Sequence, residues 1–213
     1  VFQKFTPHFF SQALQTLYPK VDRFLNGETD FQFLMSIMLS AQMTDKGVNK
    51  ATTPLFVLVK TPADVVKMGP EKLYQFVKSV NYAPTKAKNI FKTAQILCEQ
   101  FEGRLPKTRK ELMTLPGVGA KTAGVFTVQK GYEAAFPVDT HVARVARAFG
   151  FTTEKDPSKI ERDLQKIFPK EEWLPLHLRI ILYGRNVVTA RKIPQSPKEA
   201  FEELERVLRI GSV

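Results

Sequence analysis

Residues 30–41, DFQFLMSIMLSA, are apolar nearly all the way round a helix. Such a helix has no face for water and belongs in the middle of a bundle, so the rest of the chain must supply its cover. Helix-length apolar patterns able to do so recur along the sequence, whereas strand signals are scarce. Segment 8–18 sets Phe9, Phe10, Ala13, Leu14 and Leu17 at helical spacing. Further helices are predicted over 45–58, 62–68, 70–79, 84–101 and 108–113, then over 120–130, 139–149, 157–167, 171–183 and 197–209, with Pro, Gly or Asn between them. Asp30 is read as the cap that opens the central helix. The fold class is all-α with short connections, and no internal repeat, low-complexity tract or long linker interrupts it.

A chain of 213 residues is long enough for one large domain or two small ones sharing a cleft. Its 43% apolar content, with 17 Phe, supports a real core rather than disorder. Lys and Arg number 32 against 21 acidic residues, a net charge of +11 and a pI near 9.7. A polyanion is the natural partner for such a chain, nucleic acid first among them, although charge alone fits a basic solvated surface equally well. The single cysteine, Cys98, excludes an intrachain disulfide framework and any cysteine-built metal site. Within Ile96-Leu97-Cys98 it reads as a small core residue. No apolar run reaches the ~18 residues of a membrane span, and Val1 to Thr6 lack the charged start and apolar middle of a signal peptide. A soluble, intracellular protein with no membrane partner is expected.

The most informative stretch is Leu115-Pro116-Gly117-Val118-Gly119-Ala120-Lys121-Thr122-Ala123. It joins two predicted helices, Thr108 to Met113 and Ala120 to Lys130. Pro116 stops the first, and the glycines permit backbone angles that a Cβ would forbid. The second helix then opens with its unbonded N–H groups outward, and amides and helix dipole together favour a phosphate. Gly117, Val118, Gly119, Lys121 and Thr122 are the expected contacts. A bare Gly-x-Gly turn would be an ordinary helix corner; the full string is more specific.

Lys121 stands in the first turn of that second helix, where the dipole opposes its charge. A lysine there is either a phosphate contact or, as the neutral amine, a nucleophile. Further along, Pro137-Val138-Asp139-Thr140-His141-Val142-Ala143-Arg144 places Asp139 just before the apolar pattern Val142, Val145, Ala146, Phe149. Asp139 is thus read as an N-cap, held by backbone amides. A fixed carboxylate is also what chemistry at a sugar C1′ needs, because that chemistry develops oxocarbenium character. The two roles are compatible.

LPGVGAKTA followed by PVDTHVARV resembles the helix-hairpin-helix glycosylase superfamily, specifically its endonuclease III branch. The similarity extends upstream through Leu39-Ser40-Ala41-Gln42, Thr44-Asp45, Val48-Asn49-Lys50-Ala51 and Lys86-Ala87-x-Asn89-Ile90, and downstream to Tyr183-Gly184-Arg185 and Ala190-Arg191-Lys192. It covers roughly residues 25 to 192. The resemblance implies two helical domains with a DNA-binding cleft between them. Residues 22–133 would form the continuous domain, with the helix-hairpin-helix at 108–130, and residues 1–21 plus 134–213 the other. Lys121 and Asp139 would face each other across the cleft. It further implies flipping of a damaged nucleotide out of duplex DNA, attack of Lys121 on C1′, loss of the base and an imine. β-Elimination would then cut the strand. Lys121 is the implied Schiff-base nucleophile and Asp139 the catalytic carboxylate of a base-excision-repair glycosylase and abasic-site lyase.

By the same resemblance Gln42 fills the hole left by the flipped base, against a plain reading as a polar helix-end residue. Tyr82 takes the apolar place of a wedge loop, Asn81-Tyr82-Ala83-Pro84, in which Asn81 replaces the usual Gly. Tyr82 would stack on a base or simply pack. Arg144, Arg191 and Lys192 are added as DNA contacts, and His141 is assigned to orientation or packing. One departure is large. The branch normally ends in four cysteines spaced C-x6-C-x2-C-x5-C that hold an iron–sulfur cluster, and the corresponding positions here are Val188, Gln195, Lys198 and Leu204. No cofactor is expected; Phe201, Leu204, Val207 and Leu208 would hold the last helix by packing. The expected partner is duplex DNA carrying damaged bases, oxidised pyrimidines such as thymine glycol by family, or abasic sites, bound by a monomer. A monofunctional or altered-specificity glycosylase is the first alternative. A non-catalytic DNA-binding protein is the second, disfavoured because phosphate binding alone needs no paired carboxylate.

Overall fold

The computed structural model describes residues 5–211. Residues 1–4, within the segment read above for a targeting signal, and 212–213 lie outside the described residues. Among those described, every regular element is helical: α1 (Pro7–Leu17), α2 (Asp30–Ser40), α3 (Asp45–Leu58), α4 (Pro62–Met68), α5 (Pro70–Val77) and α6 (Ala83–Gln100), then α7 (Arg109–Leu112), α8 (Ala120–Gln129), α9 (Thr140–Ala148), α10 (Pro157–Ile167), α11 (Trp173–Asn186) and α12 (Pro197–Ile210), with a 3-10 turn at Lys170–Glu172. None of these helices is long and apolar enough to cross a membrane.

Starts are marked in the sequence by small hydroxyl or acidic caps. Thr6, Thr44, Thr61, Thr108, Asp139, Asp156 and Ser196 each accept a hydrogen bond from a first-turn amide. Each such cap satisfies an amide that the helix itself cannot, worth about 1 kcal/mol. At α2 the cap is Thr29 rather than Asp30. Thr29 Oγ1 accepts from Gln32 N while the Gln32 side chain returns to Thr29 N, a capping box. Asp30, one position inside, instead binds Lys130 Nζ at 2.6 Å and accepts from the Tyr132 hydroxyl at 3.3 Å.

The chain divides into two compact units, Arg23–Glu133 and Val1–Asp22 with Ala134–Val213. In Arg23–Glu133, α2 is the central helix its composition demands: every residue from Phe31 to Leu39 is buried. Helices α3, α6 and α8 pack against it, bringing Val48, Leu55, Ile90, Leu97 and Phe126 into one core. Cys98 is only half-buried, because the core face of α6 passes through Leu97 instead.

The second unit is built on aromatic rings. Phe10 of α1 meets Phe149 at 4.6 Å and Phe151 at 5.0 Å, Phe149 meets Phe201 of α12 at 4.9 Å, and Phe151 meets Phe168 at 5.4 Å. Offset and edge contacts of this kind add about 0.5–1.5 kcal/mol each beyond burial. Phe201, Leu204 and Val207 are buried, while Leu208 is half-buried. Helix α11 begins at Trp173, after the 3-10 turn, and runs on through Gly184 to Asn186. Gly184 does not end it. A Cβ there would lie 3.1 Å from His141 Cβ and 3.3 Å from Val145 Cγ2, so this glycine lets α9 approach α11.

Candidate functional site

The hairpin α7–turn–α8 belongs to the Arg23–Glu133 unit. Val118 is buried, and its N–H donates to Leu115 O at 3.1 Å. Its side chain and amide both face inward, so Val118 anchors the turn rather than offering a ligand contact. Thr93 Oγ1, itself buried, donates to Pro116 O at 2.9 Å and ties the turn to α6. The two glycines are not equivalent. Gly117 has φ +78°, and a Cβ on it would come within 2.9 Å of Asn89 Cβ; Gly119 is extended at φ −87°, and a Cβ on it would meet nothing within 4 Å. Only Gly117 is required by the turn itself.

No side chain caps α8, whose N-cap is Gly119, and the first i to i−4 bond is Ala123 N–H to Gly119 O. Helix geometry leaves the amides of Ala120, Lys121 and Thr122 without intrahelical acceptors. Lys121 is exposed and Thr122 half-buried. The arrangement can take an anion on the amides, with an amine beside it.

Asp139 lies in the other unit. It is the N-cap of α9: one carboxylate oxygen accepts from Val142 N at 2.8 Å, and the residue is half-buried. The second oxygen is not needed for the cap. His177 of α11, 6% exposed, holds the preceding segment through its Nδ1 and the Pro137 carbonyl at 2.9 Å. A carbonyl only accepts, so His177 Nδ1 carries the proton. Burial lowers the His177 pKa, while the Asp139 charge and the bond to Pro137 pull it the other way. His177 was missed in the sequence, where a lone His inside Leu176-His177-Leu178 gives only the weak signal of a polar residue on an apolar helix.

Arg144, expected as a DNA contact, has an internal task. Its Nε donates to Val188 O at 2.7 Å, and its Nη2 to Gly184 O at 2.7 Å and His141 Nδ1 at 2.9 Å. It therefore binds carbonyls at the end of α11 that no further helical turn would satisfy. Because a guanidinium only donates, His141 accepts at Nδ1 and keeps its proton on Nε2. Burial works against the Arg144 charge, and Asp139 works for it.

Gln42 and Tyr82 share the Arg23–Glu133 unit and are both exposed, Tyr82 at 64%. Both are left-handed, at φ 57° and 59°. Arg191 is exposed. Lys192 is exposed but paired: its Nζ lies 2.7 Å from Glu203, which also takes two bonds from Arg206 at 2.7 and 2.8 Å. These two cations pull the Glu203 carboxyl down to about 2, so Lys192 braces the 187–196 loop against α12.

The residues at the four cluster positions do not fit an iron–sulfur group. Val188 and Leu204 are buried in apolar packing, Gln195 and Lys198 are exposed, and none is a thiol. The sole cysteine, Cys98, stands on α6 in the other unit.

A sequence profile for the HhH-GPD superfamily base excision DNA repair proteins matches residues 35–170. Endonuclease III of Escherichia coli K12 is 39% identical over 168 residues, 79% of this chain and 80% of that relative. Among solved structures, a non-covalent endonuclease III–DNA complex superposes with a TM-score of 0.79 at 35% identity, covering 95% of this chain and 96% of that one. A trapped endonuclease III–DNA covalent intermediate does so at 0.77 and 38% identity, covering 88% of each. With an all-helical fold and the hairpin in place, the chain belongs to the HhH-GPD superfamily of base excision DNA repair proteins and, within it, to the endonuclease III family of DNA glycosylases.

Proposed function

We propose that the chain is a bifunctional DNA glycosylase and abasic-site lyase acting as a monomer on duplex DNA inside the cell. Its substrates in this reading are oxidised pyrimidines and abasic sites. The observation that carries the reading is an exposed amine, Lys121, beside the unbonded amides of α8, together with a capping carboxylate, Asp139, that has an oxygen to spare. Gly119, Ala120, Lys121 and Thr122 grip a phosphate; Arg191, on the other unit, is a separate basic contact to DNA. The neutral Lys121 amine attacks C1′. The glycosidic bond breaks with its electron pair leaving on the base, which takes up a proton. Negative charge on Asp139 stabilises the oxocarbenium character at C1′. Opening of the sugar ring gives the C1′ imine; loss of a C2′ proton then expels the 3′ phosphate. A solved endonuclease III relative trapped as a covalent DNA intermediate supports a covalent step here.

The test is incubation with lesion-bearing duplexes under borohydride, which reduces an imine irreversibly. Release of an oxidised pyrimidine together with a covalent adduct is expected. Base release without any adduct would make the enzyme monofunctional, with Asp139 activating water. Neither release nor adduct across the panel would leave a DNA-binding protein.

We also propose that the fold needs no iron–sulfur cluster. The purified protein should be colourless and should refold from denaturant without iron. Stoichiometric iron and sulfide in a reconstituted sample would overturn this, since such a group requires thiolate ligands and the chain has one cysteine.

A further inference from the structure

We propose that Asn81 and Lys86 are positioning residues that lock Gln42 and Tyr82 into one preset two-pronged wedge, an inference that rests on the reading above that this chain opens a DNA duplex. Gln42 and Tyr82 each adopt a left-handed backbone, at φ 57° and 59°, although neither is a Gly or an Asn. Such a conformation persists only where the surroundings impose it. Both side chains are exposed, so core packing does not do the imposing.

Two polar anchors do. Asn81 Nδ2 donates to Gln42 O at 2.5 Å across 39 positions of sequence. Because a carbonyl only accepts, the amide of Asn81 has a single usable orientation. This bond joins the residue next to Tyr82 directly to the Gln42 backbone. Behind it, the buried Lys86 Nζ donates to Leu39 O at 2.8 Å and Ala41 O at 2.7 Å. These carbonyls lie at the C-terminal end of α2, where helix geometry provides no amide for them. Lys86 sits in the first turn of α6, and Tyr82 is the N-cap of that helix. The end of α2 and the start of α6 are thereby tied together at two points, with Gln42 and Tyr82 projecting from them.

The ligand chemistry follows from the prongs. An aromatic ring held out of the core stacks on a nucleobase, and a primary amide offers a donor and an acceptor to a base that has lost its partner. A wedge fixed before binding spends no ordering entropy when it enters the stack. In this assignment Asn81 and Lys86 act through Gln42 and Tyr82, because their amide and ammonium groups are spent on the Gln42, Leu39 and Ala41 carbonyls.

The experiment compares two duplexes that carry the same lesion, one fully paired and one with the lesion opposite a gap, where little stacking must be broken. Single-turnover base release is measured on both, with 2-aminopurine fluorescence beside the lesion reporting opening. Asn81→Ala removes an exposed side chain and should slow release from the paired duplex about tenfold and delay the fluorescence rise, with less than about a twofold effect on the gapped one. Lys86→Met should show the same split; should it fail to fold, Asn81→Ala carries the test alone. An equal loss on both duplexes, or no loss on either, would overturn the wedge assignment while the glycosylase reading stood. A wild-type protein that releases no base from either duplex would bring down both.

Discussion

Lys121→Gln is expected to abolish the borohydride-trapped adduct with abasic DNA while leaving duplex binding nearly intact. The substitution keeps a polar, unbranched stem, one bond shorter, and removes the amine proposed as nucleophile. Lys121 is exposed in the first turn of α8, and changes at such positions usually alter stability by less than about 0.5 kcal/mol. The turn stays built, because its supports are elsewhere: Thr93 on Pro116 O, Val118 N–H on Leu115 O, and the left-handed Gly117. The amides of Ala120 and Thr122 remain available to a phosphate. Affinity should fall by no more than one charge contact contributes, a few-fold at moderate salt, with a salt slope smaller by about one unit. Base release should drop by about 10³-fold or more, the scale set by losing a group that acts in the transition state. A variant that still traps fully would show that another amine is the nucleophile.

What the sequence revealed of this site was what local chemistry dictates. The central position of α2 follows from a surface apolar nearly all the way round, and the cap on α9 follows from an Asp just ahead of a helical apolar pattern. Both are short-range facts. Partners chosen across the chain were out of reach. Arg144 looks like a DNA contact beside Asp139, and only the fold brings Gly184 O and Val188 O to it. Lys192 looks equally free until α12 returns Glu203 to it. Gly184 has the form of a helix end, and its actual reason, close passage of His141 and Val145, lies on another helix. Gly119 resembles Gly117 in the string, yet only one of them is left-handed. Asp30 and Thr29 are both acceptable caps, and the capping box with Gln32 decides between them.

Asp139→Asn is expected to slow base release by about 10³-fold without weakening DNA binding, the cost observed when a positioned electrostatic stabiliser is removed. Asparagine is the substitution that isolates charge from structure. It caps helices about as well as aspartate, whereas alanine would forfeit about 0.5–2 kcal/mol of the α9 start. The bond to Val142 N should therefore survive, and with it the helix that carries His141 and Arg144. Binding should hold or improve, because the substitution removes one negative charge from a protein that binds a polyanion. Two substrates separate the roles further. In the proposed mechanism, releasing an intact base builds positive character at C1′ and draws on the carboxylate, whereas an abasic aldehyde forms its imine with Lys121 by losing water and draws on it less. Trapping on abasic DNA should thus fall far less than base release. Equal losses on both substrates would place Asp139 in imine formation itself, and an unchanged base-release rate would remove it from the chemistry and leave it a helix cap.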